Sequence, residues 1–365
     1  MSARPRVIAA LLALLAMAGT LSGCEVPYLM HGAYEEVHLL WKRRPIDQVL
    51  ERPNLPADIR AKLKLVLAVR AFARDNLGLN VGGAYSTVVP VDKSAVTWVL
   101  MAAPVDQLTP HTWYFPIVGD VPYKGFFSRS AAQAAAADLQ ARGLDTFVRS
   151  AVAFSSLGWF NDPLLSNLLG LDQVVLAGVI IHELFHRTYY LAGHAMFDES
   201  AATWVGSAGA VRFFELTKGP NSPQAVAARA VLQSDLVLAA FLKQEVARVL
   251  LLYAGKLPRT EMLRRRKLLF ASIQADYARL RPQLSGLERF DLDREPLNNA
   301  VLINYRIYFH RLESFDALYH AHEDDLPATI ASIIRLAKAD PDHPFDAIGH
   351  AAPPSPIPSP AAAVP

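Results

Sequence analysis

Residues 171–192 read LDQVVLAGVIIHELFHRTYYLA. Apart from Asp172 and Gln173, the first half is apolar; it holds no proline, and Gly193 follows as a stop. An uninterrupted run of this length predicts a buried helix over roughly Leu171–Ala192. Its second half carries His182, Glu183 and His186. Residues four apart share one helix face, about 6 Å apart along the axis. Both imidazoles can therefore turn a ring nitrogen toward one Zn²⁺, and Glu183 is placed to meet a water rather than the metal. A buried helix bearing His, Glu and His is costly unless something satisfies them. The motif thus reads as a metal site. The chain has one cysteine, Cys24, so a cysteine-based zinc site is excluded and the ligands must be histidine and carboxylate.

A catalytic zinc needs a third protein ligand. The metzincin pattern would put glycine at 189 and histidine at 192, where this chain has Tyr189 and Ala192. Downstream candidates are His194, just after the helix, and Glu199 within FDESAA at 197–202. A glutamate on a second helix after HExxH resembles the gluzincin arrangement, so Glu199 is preferred and His194 is the alternative. Asp198 reads as a helix N-cap or as the partner of a ligating histidine.

Working outward, the pattern predicts an α+β, predominantly helical fold. Pro56–Leu77 has helical spacing. Tyr85–Phe127, rich in Val, Thr and aromatics and broken by prolines, reads as short strands and turns. Ala131–Arg142 reads as a short helix stopped at Gly143, Thr146–Phe154 as a strand, and Leu157–Asn167 as a loop. From Leu171 the chain reads as mostly helical to Lys338, with breaks near 193, 219–223, 255–258 and 291–296. Pro353–Pro365 holds six prolines and forms no packed element. The organisational division is 1–23, 24–170 (helices, then strand-rich), 171–345 (helical metal-site region) and 346–365 (Pro/Ala-rich disordered tail).

The N-terminus carries Arg4 and Arg6, then VIAALLALLAMAGTL at 7–21 and Leu21-Ser22-Gly23-Cys24. A basic start, a short apolar run and small residues make a signal peptide. The last four residues resemble the lipobox of bacterial lipoproteins, so Cys24 would become the lipidated first residue. Glu25 rather than aspartate follows it, which favours the outer membrane over the inner. No other stretch reads as long and apolar enough to span a bilayer. The formal net charge is +2, and no long basic run exists, which argues against nucleic acid as a partner.

Several blocks carry a wider resemblance: WYFPIVG at 113–119, PYKGFF at 122–127, SLGWFNDPLLS at 156–166, HELFH at 182–186, FDES at 197–200, LNNA at 297–300 and Tyr308. On these the chain resembles a family of bacterial predicted aminopeptidases, zincin-like envelope lipoproteins. The resemblance implies a small sheet packed beside the HExxH helix and a peptide substrate. It implies one Zn²⁺ on His182, His186 and Glu199, with Glu183 as general base and then general acid. Tyr308 is the leading candidate to stabilise the developing oxyanion, ahead of Tyr305 and Tyr189. Trp159, Phe160, Asp162, Asn298 and Asn299 are candidates for substrate binding, although the two asparagines read better as helix caps. Asp162 or Glu215 would hold a substrate amine. Phe185 and His194 differ from the residues commoner in the family and are expected to shape the pocket. The competing functions are a zinc endopeptidase acting on envelope proteins and a non-catalytic zinc lipoprotein that binds a partner.

Overall fold

The computed structural model describes residues 41–91, 97–115, 119–151, 161–287, 292–293 and 296–352. The expected signal peptide, Cys24, Trp159, Phe160 and the tail from 353 lie outside these residues. Residues 44 onward form one compact unit, with no division at 170/171.

The unit opens with β1 (Arg44–Pro45), α1 (Ile46–Leu50) and α2 (Ala57–Asp75). The strand-rich region follows as β2 (Thr87–Val89), β3 (Thr97–Pro104), β4 (Trp113–Phe115), β5 (Gly119–Val121) and β6 (Lys124–Phe126). Then come α3 (Arg129–Ala141), β7 (Leu144–Ala151) and β8 (Leu164–Leu165). The described strands form three small sheets: β1-β2-β8, with β2 and β8 parallel; antiparallel β6-β3-β7; and the hairpin β4-β5. The helical part is α4 (Gln173–Thr188), α5 (Ala195–Lys218), α6 (Pro223–Ala254), α7 (Arg259–Leu280), α8 (Asn299–Tyr308), α9 (Leu312–Ala321), α10 (Leu326–Ala339) and α11 (Pro344–Ala351).

Strand β7 shows how the pattern builds layers. Side chains alternate along a strand. Leu144 and Val148 face the cluster under α3, whereas Phe147 joins the main core. Asp145 and Arg149 share the Phe147 face and reach α8. The β6-β3-β7 sheet thus packs on α3 and α8. The main neighbours of α4 are α5, α2 and α6, so the sheet expected directly beside the HExxH helix meets the site through α8.

Helix α4 starts at the Asp172 N-cap, whose carboxylate accepts the Val174 N–H at 2.8 Å. It ends at Thr188, before Gly193. Tyr189 is already extended, with φ −147° and ψ 134°. The connector 189–194 then turns through Gly193 (φ +82°), a left-handed conformation that costs a side-chain-bearing residue roughly 1–2 kcal/mol. Asp198 ties this connector down by accepting the Leu191 N–H at 2.9 Å. Ending α4 early lets α5 start at Ala195 and brings Glu199, in its second turn, back to the histidines.

Helices α4 and α5 cross closely because both are glycine at the contact. A Cβ on Gly206 would lie 2.7 Å from the Gly178 carbonyl oxygen and 3.1 Å from His182 Cβ. Gly206→Ala is therefore expected to destabilise the protein by about 1–3 kcal/mol, overriding alanine's better helix propensity. A urea midpoint measurement checks this; the methyl would press first on the Gly178 carbonyl and next on His182 Cβ.

Two expectations need correction. The boundary at 346 falls inside α11, where Ile348 is wholly buried and the helix packs on α9 and α10; the unpacked stretch cannot begin before 353. Helix α6, with 32 residues and an apolar window, is long and apolar enough to cross a membrane. Its buried residues include Asp235 and Glu245, and it packs on α5 and α7.

Candidate metal centre

His182 and His186 stand one turn apart on α4, their Nε2 atoms 3.1 Å apart and their rings edge to face at 4.7 Å. Glu199, in the second turn of α5, places Oε2 3.3 Å from His182 Nε2 and 3.4 Å from His186 Nε2. The three donor atoms lie within 4.8 Å of one another, a group that could hold a metal. Donors about 2.0–2.1 Å from a tetrahedral zinc are roughly 3.3 Å apart, which matches this triangle. His194, the alternative ligand, is outside the group. It is the N-cap residue of α5, and its carbonyl accepts the Phe197 and Asp198 N–H groups.

The electrostatics also suit a cation. Burial alone would lower the His186 pKa, but the Glu199 carboxylate overrides it and, with Glu183 and Asp198, raises it to about 9. Burial would likewise raise Glu199; His186 and His182 instead hold it well below the usual carboxylate range. Asp198, pushed up to about 7 by burial against the Leu191 N–H and His186, stands beside the pair. His186 Nδ1 and Asp198 Oδ2 are buried without a hydrogen-bond partner among the described residues. No hydrogen bond joins the two, so Asp198 acts on His186 through its charge.

These shifts give a pH prediction for the metal-free chain. The stability from a protonated His186 is full below its ordinary pKa of 6.5 and is lost as pH rises through about 9. Glu199, held low, contributes throughout the range above its ordinary 4.5. The urea midpoint should therefore fall between pH 6.5 and 9. Zinc affinity should rise over the same interval, because ligating imidazoles must be neutral. Denaturation curves at both ends of the interval, with and without zinc, check both signs.

Tyr308 lies beside the site. Its ring lies 6.4 Å from that of His182, and its hydroxyl accepts a hydrogen bond from Arg149 Nη2 at 2.9 Å. Burial, then the Glu199 charge, pushes its pKa to about 12 against the pull of Arg149, so it stays a protonated donor at neutral pH. Glu183 acts on the same phenol and on His186, which puts the expected base in the same chamber. Tyr123 and Tyr190 also feel the Glu199 charge, and burial raises both above the ordinary phenol range. Tyr85, buried and with φ +56°, donates its N–H to the Asp162 carbonyl at 2.8 Å. A positive φ is uncommon for a bulky residue, and one next to a base marks a constrained site. Burial raises the Tyr85 phenol, and the charges of Glu183 and then Asp162 add to it.

Other expected site residues lie elsewhere. Asn298 caps α8: its Oδ1 accepts the Val301 N–H at 3.0 Å and its Nδ2 donates to Thr146 O. Asn299 is wholly buried; it donates to the carbonyls of Pro104 and Gln107 and accepts from Tyr253. Both asparagines are spent on the fold rather than on substrate. Glu215 pairs with Arg229 at 2.7 Å, about 24 Å along α5 from Glu199. Phe185 is fully buried in the core, so it cannot line a pocket. Tyr305 is buried within α8, and it is Tyr190, not Tyr189, whose phenol feels Glu199. A cavity of about 440 Å³ opens at the start of α5, with His194, Ala195, Ile307 and His310 among its walls. Ala195 is one turn before Glu199 on the same face.

Tyr123, Tyr190, Arg149, Asn304 and Tyr85 were not singled out from the sequence. Arg149 left a trace there, as a charged residue two positions from Phe147 on one strand face. No curated protein and no solved structure matches the chain. A family model described as "Putative aminopeptidase" matches residues 27–346. With most of its length matched, the chain belongs to this aminopeptidase family.

Proposed function

We propose that the chain is a zinc-dependent aminopeptidase that removes N-terminal residues from peptides in the bacterial envelope. The observation that carries this reading is the convergence of His182, His186 and Glu199 beside Glu183. Those three residues would hold Zn²⁺, which when bound supplies a Lewis acid for the scissile carbonyl and for water. Glu183 takes a proton from the attacking water and delivers it to the leaving nitrogen as the C–N bond breaks. Tyr308 donates its hydroxyl to the carbonyl oxygen as negative charge develops there. Tyr123 and Tyr190 wall the chamber. Asp162, whose charge acts on the Tyr85 phenol as that of Glu183 does, is the carboxylate we assign to the substrate's free amine. The cavity beside Ala195 receives the rest of the peptide.

A panel of peptides, each free and N-acetylated, tests the assignment on the zinc-loaded chain. Cleavage of single N-terminal residues, abolished by acetylation, is the expected result; internal cleavage of acetylated peptides would make it an endopeptidase. The lipobox-like Leu21-Ser22-Gly23-Cys24 is what supports a mature chain anchored by lipid at Cys24, with Glu25 favouring the outer membrane. Cys24→Ser should abolish labelling by a fatty-acid probe and release the protein from membranes.

A further inference from the structure

Strand β7 and helix α8 run side by side, and the stretches that meet match in length. From Asp145 to Arg149 is about 13 Å of strand, and from Asn299 to Tyr308 about 13 Å of helix. At the N-terminus of α8, Asp145 accepts the Asn299 N–H at 2.9 Å, where negative charge suits the helix dipole. At the C-terminus stands Arg149, where positive charge suits it. Its Nε donates to Asn304 Oδ1 at 2.7 Å, its Nη2 to the Tyr308 hydroxyl at 2.9 Å, and its guanidinium carbon lies 5.6 Å from the Tyr308 ring centroid. Asn304 is 2% exposed, so the arm holding the guanidinium is fixed by the core.

We propose that Arg149, braced by Asn304, is a positioning residue that holds the Tyr308 phenol and directs its proton toward the reacting carbonyl. The proposal rests on the reading of Tyr308 as the oxyanion donor. A guanidinium has donors and no acceptor. Toward Arg149 the Tyr308 oxygen can therefore only accept, and its proton points away from the guanidinium. The fixed positive charge also strengthens the phenol as a donor at the moment it meets developing negative charge. A purely structural role is already filled at the other end of the pair, where Asp145 and the Asn298–Thr146 bond tie β7 to α8.

The test uses the zinc-loaded full chain on unblocked peptides, with Arg149→Met, Arg149→Lys, Tyr308→Phe and the double variant Arg149→Met/Tyr308→Phe. Tyr308→Phe is expected to lower kcat about 10²-fold, the loss typical of one oxyanion donor. Arg149→Met should lower kcat at least about tenfold with KM nearly unchanged, and Arg149→Lys should recover part of that. In the Tyr308→Phe background the same change should cost less than about twofold. An equal loss in both backgrounds would overturn the proposal, as would an unchanged kcat in Tyr308→Phe. A second measurement reads the contact without turnover. In the zinc-stripped chain with Tyr308 replaced by 3-fluorotyrosine, Arg149→Met should shift the ¹⁹F resonance and raise the pH at which the phenol ionises. An unmoved resonance and titration would overturn the proposal. If no peptide is cleaved by the wild type, the aminopeptidase reading fails while the ¹⁹F result still decides whether Arg149 holds Tyr308.

Discussion

Glu183→Gln is expected to lower kcat/KM on unblocked peptides by about 10²–10⁴ while the protein keeps its zinc. The size follows from what the residue does. Glutamine preserves shape and hydrogen bonding but cannot take a proton from water or return one to the leaving amine. Zinc is kept because Glu183 is not among the three converging donors. Loss confined to kcat would identify a group used in the transition state rather than in binding. A variant that lost zinc as well would show that Glu183 belongs to the ligand set. Zinc content by mass spectrometry and steady-state kinetics on one preparation give both readings.

Glu199→Ala carries the second large effect. Removing a residue that merely orients a ligand typically costs 10–100-fold in metal affinity. Removing the only carboxylate among three ligands should cost more than about 100-fold, and activity at micromolar zinc should disappear with it. The metal-free fold should also change its pH response. Without that anion the largest counterweight to burial is gone and only Glu183 and Asp198 still favour a charged His186, so the decline of the midpoint between pH 6.5 and 9 should shrink. That change separates loss of a ligand from general damage. A competition titration with a chromogenic chelator measures the affinity, and urea curves at the two pH values measure the response.

The parts of the site legible in the sequence are those set by local spacing. His182 and His186 are four apart on one helix, so their pairing follows from helix geometry; the choice of Glu199 in FDES over His194 rests on the resemblance to the gluzincin arrangement. The early end of α4 was not legible. Nothing local forbids helix at Tyr189–Ala192; the Asp198 bond to Leu191 across the turn decides it. Tyr123 and Arg149 were hidden for a related reason. They reach the site from the strand-rich region, which contacts α8 rather than α4, and only the folded chain brings residues 123, 149 and 308 together. Asn298 and Asn299 show the reverse case. Two polar residues at a helix start read equally as ligand groups or caps, and their hydrogen bonds resolve them as part of the fold.

The most direct test of the central claim is zinc stoichiometry by native mass spectrometry after the stripped chain is reloaded and exchanged into zinc-free buffer. The wild type should retain one zinc per chain, and a His182→Ala/His186→Ala variant none. No zinc on the wild type, or equal retention in both proteins, would contradict the assignment of His182, His186 and Glu199 as a metal centre.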